Sequence, residues 1–142
     1  MNAKAFLSEI KKIERIIRDK QEEREQWRDM ALHITGRYDG ERVKGSSDPH
    51  KLENAVIHAV DIEREIDESI KKLYKRREEI INVIEQLSLN DYDLLYNVYV
   101  KGMSFQELAD ARGCTYSNIS TLHGVALKRV KRILDKQEEI KN

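Results

Sequence analysis

The sequence predicts an all-α protein: a long antiparallel, coiled-coil-like helical hairpin followed by a helix-turn-helix unit. Three observations carry this. Apolar residues recur at intervals of three and four through two long segments. Charged residues make up 37% of the chain and aromatic residues only 6%, a balance that favours long exposed helices over a compact globule. The single proline and the six glycines fall outside those two segments.

The first helix is expected from Ala3 to Ile34. Phe6, Ile10, Ile13, Ile17, Lys20, Arg24, Trp27, Ala31 and Ile34 form a heptad seam with two cationic interruptions. Such a helix is roughly 45 Å long and cannot bury its stripe alone. A polar, glycine-containing connector at about 35–48 follows, long for a helix–helix link. Within it, Gly40 to Ser47 superficially approaches a phosphate-binding loop. It lacks Lys after the second Gly, and no strand precedes it. The second helix starts with Asp48 as N-cap and Pro49 at the first helical position, both favoured there. Its seam runs through Ala55, Ala59, Ile62, Ile66, Leu73, Ile80 and Leu87, with Ile70 and Ile84 beside it and Ser69 and Arg76 as polar breaks. Two helices of similar length pair most economically as an antiparallel hairpin. Residues 1–87 therefore read as a hairpin that self-associates into a homo-oligomer, and 88–142 as a separate DNA-binding domain.

In that second domain Ser104 with Glu107 three residues later forms a capping box. Leu108 and Ala109 follow, Gly113 ends the short helix, and Thr115 caps the next. On the last helix Ile119, Leu122, Ala126, Val130 and Ile133 give the expected buried stripe. Small polar residues then face outward at its N-terminal end, where bulk would hold a helix away from base edges. From Cys114 to Leu134 there are four cations and no acid, in a chain of net charge zero. That local imbalance is the footprint of phosphate contact. The expected DNA-contacting set is Tyr116, Ser117, Asn118, Ser120, Thr121, Lys128, Arg129, Lys131 and Arg132.

The block from Leu89 to Leu134 resembles region 4 of bacterial sigma factors. NDYDLLYNVYV precedes the turn VKGMS, then LADARGCT, then a helix ending LHGVALKRV, which is the most specific part of the match. With its long helical N-terminal part, the chain resembles the small sigma-region-4-like regulators of Gram-positive phages and prophages, the ArpU- and RinA-type late-gene activators. The resemblance implies a sequence-specific transcriptional regulator that binds double-stranded DNA and acts with host RNA polymerase. Two positions depart from the pattern. Arg112 stands where such motifs place an apolar residue, and Tyr116 and Ser117 replace charged residues at the tip of the reading helix.

Other chemistry finds little purchase. His33, His50, His58 and His123 are scattered without metal-ligand spacing, and a structural or phosphate role is expected for His123. The acidic run Asp61, Glu63, Glu65, Asp67 and Glu68 reads as a solvated coiled-coil flank. Tyr92, Tyr96 and Tyr99 read as packing residues, with Tyr99 within reach of a phosphate. No enzyme, cofactor or metal is expected. One cysteine allows no internal disulfide, and no apolar run suits a membrane or a signal peptide, so a cytoplasmic protein is expected. Two rival readings are a small terminase-like DNA-packaging subunit and a coiled-coil interaction protein.

Overall fold

The computed structural model describes the backbone of residues 2–40 and 49–142 and the side chains of residues 2–33 and 50–142. Every element in these residues is helical, and they contain no strand. They are α1 (Ala3–Gly40), α2 (Pro49–Glu85), α3 (Leu89–Leu95), a π-helical turn (Tyr96–Val100), α4 (Phe105–Arg112) and α5 (Tyr116–Lys141). None is long and apolar enough to cross a membrane. α1 runs six residues beyond the expected end at Ile34, since an established helix gains one hydrogen bond for each residue it adds. The remainder of the connector, the loop-like stretch to Ser47 and the Asp48 cap lie outside the described residues.

The chain divides into two compact units, residues 15–74 and residues 1–14 with 75–142. The division differs from the 87/88 boundary read from the sequence. Its reason is where the apolar mass sits. Leu7, Ile10, Ile80, Ile84, Leu94, Leu95, Leu108, Ile119 and Val130, the largest fully buried side chains, all belong to the second unit. The ends of the two long helices thus share a core with α3, α4 and α5. Among the described residues of the 15–74 unit, only Ile17, Ala59, Ile66 and Ile70 are buried apolar residues.

The seam on α1 is buried at Phe6, Ile10, Ile13 and Ile17, and half-buried at Arg24, Trp27 and Ala31. Of its two cationic interruptions, Arg24 is paired across to α2. Arg24 reaches Asp67 at 2.7 Å, Arg28 meets Glu63, and Trp27 sets its ring edge-on to His58. The two ion pairs step four residues forward on α1, from Arg24 to Arg28, and four back on α2, from Asp67 to Glu63, so the helix directions are opposed within this unit. The Arg24 Nε is buried without a partner. In the other unit Arg76 forms a fork on Glu9 at 2.9 and 3.2 Å and lies over the Phe6 ring, while Arg77 meets Glu14 at 3.2 Å. A half-buried arginine in an apolar seam is tolerated when a facing carboxylate satisfies its fork. Arg24 and Arg76 are therefore pairing sites between α1 and α2, and two acids of the 61–68 run, Asp67 and Glu63, meet Arg24 and Arg28.

Candidate nucleic-acid interface

Ser104 N-caps α4, its side chain accepting from the Glu107 amide at 3.1 Å. Gly113 ends the helix in the left-handed conformation, φ 67° and ψ 37°. There the Cys114 amide bonds Ala109 O and the Gly113 amide bonds Asp110 O, the paired bonds of a Schellman motif. Thr115 then caps α5, accepting from the Asn118 amide at 3.1 Å. Ala109 is completely buried, so α4 and α5 approach closely at this corner. The chain between α4 and α5 is thus turned by three residues, each with a defined backbone task.

The buried stripe of α5 is Ile119, His123, Ala126, Val130 and Leu134. This corrects two expected positions: Leu122 is exposed at 39%, and Ile133 is only half-buried. His123 takes the inward place because Tyr99, on the π-helical turn, supplies its polar partner. The Tyr99 hydroxyl and His123 Nε2 are hydrogen-bonded at 2.8 Å and their rings stack. Phe105 of α4 packs on the same imidazole with centroids 4.8 Å apart, and Tyr116 packs on Phe105 at 5.7 Å. Burial, and secondarily the charge of Lys4, holds the His123 imidazole below the usual histidine range. Burial pushes the Tyr99 phenol up to about 12. Buried and hydrogen-bonded to each other, the two side chains form a packing pair.

Helix α3 fixes the orientation of this unit with two carboxylates. Asp91, buried to 8% exposure, holds Arg129 of α5. Asp93 receives Arg112 of α4 at 2.6 Å. Arg112, where an apolar residue would be expected, thus replaces packing with an ion pair. Arg129 is anchored to α3 and leaves the set of cations free for a ligand.

The rest of the expected set lies on the surface. Ser117, Asn118, Ser120, Thr121, Lys128, Lys131 and Arg132 are all exposed, as is Tyr116 beyond its contact with Phe105. Ser117, Thr121, Gly124, Lys128 and Lys131 follow spacings of four and three, so they share one face, opposite the buried stripe. A Cβ at Gly124 would meet open space. Thr121 donates its hydroxyl hydrogen to the Ser117 carbonyl at 3.0 Å, leaving its lone pairs outward. None of Lys128, Lys131 and Arg132 has an ion-pair partner among the described residues. The described residues hold no cluster of His, Cys, Asp or Glu suited to a metal. Comparison with protein-family models, with curated proteins and with solved structures finds no match to the chain.

Chemically, this face offers small hydrogen-bonding side chains at the start of a 26-residue helix and unpaired cations further along it. That order, bases first and phosphates later, suits a helix entering the major groove at its N-terminal end.

Proposed function

We propose that the chain is a sequence-specific DNA-binding transcriptional regulator of phage or prophage type, a late-gene activator that acts with host RNA polymerase. In this reading α4, the Gly113 turn and α5 form a helix-turn-helix like that of sigma region 4. α5 is the recognition helix, and α1 with α2 forms a hairpin through which the protein oligomerises. The observation that carries it is the exposed face of α5, where Ser117, Thr121 and Gly124 lead into unpaired Lys128 and Lys131 on a stretch without acids.

The support is physical. Arg129 and Arg112 pair with acids of α3, whereas Lys128, Lys131 and Arg132 are exposed with no ion-pair partner among the described residues. Leaving these three unpaired beside small polar side chains keeps the surface open to a polyanion with readable edges. The test is the salt dependence of duplex binding. Changing Lys128, Lys131 and Arg132 together to Ala lowers the slope of log affinity against log salt by about 0.9 for each phosphate no longer neutralised. A wild-type protein that fails to bind duplex DNA at low salt, or a variant with the wild-type slope, overturns the reading.

A further inference from the structure

α1 begins beside the basic stretch of α5. Asn2, Ala3 and Lys4 line one wall of a groove of about 460 Å³, and Leu127, Lys128 and Lys131 line the other. Three of its six lining residues are lysines, and no carboxylate is among them. None of the three lysines is ion-paired among the described residues. Elsewhere in this unit Arg76, Arg77, Arg112 and Arg129 each meet a carboxylate, whereas this groove gathers three lysines with no acid on its walls.

The first turn of α1 is itself unusual. The first turn of a helix favours acids, because the backbone amides there carry partial positive charge. Here that turn has no acid and contains Lys4, and its cap is the neutral Asn2, whose Oδ1 accepts from the Lys4 amide at 2.8 Å. Helix stability thus gives no reason for a lysine at this place, still less for two more facing it. Lys4 is also close enough to α5 for its charge to be felt at His123.

We infer that the groove between the first turn of α1 and the Lys128–Lys131 stretch of α5 is a phosphate-binding site, with Lys4 as a phosphate ligand supplied from outside the helix-turn-helix. The inference rests on the DNA-binding reading for its source of phosphate: the groove continues the exposed face of α5, so a strand followed from Thr121 to Lys131 meets Lys4 next. The N-terminal helix is then part of the DNA-binding surface as well as of the hairpin.

The experiment measures duplex affinity against salt for the full chain, for Lys4→Gln, and for Lys12→Gln, an exposed lysine of α1 that does not line the groove. The expected result is a slope lowered by about 0.9 in Lys4→Gln, with affinity down several-fold at moderate salt, and an unchanged Lys12→Gln. Equal slopes in all three proteins, or equal reductions in both variants, overturn it. If the wild type binds no duplex, the DNA reading fails separately. The groove is then judged by titrating inorganic pyrophosphate and following backbone amide shifts of residues 2–4 and 127–131. Saturable shifts that vanish in Lys4→Gln keep the phosphate site and assign it to a small anion, whereas no shift removes it.

Discussion

Arg129 and Lys128 are sequence neighbours with the same charge, yet Arg129 is paired with Asp91 and Lys128 is exposed, a difference that Arg129→Ala probes. The Asp91 carboxylate is 11% exposed and its partner guanidinium 50%. Removing Arg129 leaves a nearly buried carboxylate without its charged partner. An unsatisfied buried group costs about 1–3 kcal/mol, and the half-exposed arginine places this pair in the lower part, about 1–2 kcal/mol. For a chain of this size that is a melting temperature lower by roughly 3–6 °C, followed by circular dichroism of helix content. In an Asp91→Asn background the same arginine removal should cost less than about 0.5 kcal/mol, because the charge it compensated is gone. The salt slope of duplex binding should barely move in Arg129→Ala, in contrast to Lys128→Ala. An Arg129→Ala protein that melts like the wild type and has a slope smaller by about 0.9 would refute the assignment, placing Arg129 on phosphate.

Two further outcomes follow from the packing. His123 has a folded pKa below its unfolded value, near 6.5, so the unfolded chain binds the proton more readily. Its contribution is fully present above pH 6.5 and is lost as pH falls toward the depressed folded value; a His123→Leu variant should lack that acid-side slope in denaturant titrations. Met30, Leu32, Ile57 and Val60 are exposed apolar residues of the 15–74 unit, so the full chain should sediment as a dimer or larger, and Leu32→Glu with Ile57→Glu should shift it toward monomer. A wild-type monomer at high micromolar concentration contradicts this.

The elements legible in the sequence were those set by local chemistry. Ser104, Gly113 and Thr115 each act on backbone groups within five residues, and their roles follow from residue type and spacing. The α1 seam was legible for the same reason, since period alone decides which face is apolar. What stayed hidden depends on partners distant in the chain. Whether Leu122 or His123 turns inward is a matter of apolarity until Tyr99 appears 24 residues away as a hydrogen-bond partner, delivered by an extra π-helical residue that no pattern announced. Arg129 looked equivalent to its neighbours because Asp91 lies 38 residues upstream. Arg112 looked like a defect because Asp93 was not known to face it. A stretch of like charges carries no label for which member is paired.

In the proposed function the N-terminal face of α5 reads base edges. Selection of bound duplexes from a random pool, followed by competition of the selected site against random DNA, tests it for the wild type, Ser117→Ala and Thr121→Ala. A good base contact is worth about 1–3 kcal/mol of discrimination while nonspecific affinity barely changes. The expected result is a selected consensus for the wild type and a preference for it reduced roughly 5- to 100-fold in at least one of the two variants, with affinity for random DNA maintained. A pool that yields no consensus, or two variants that keep the full preference, contradicts it.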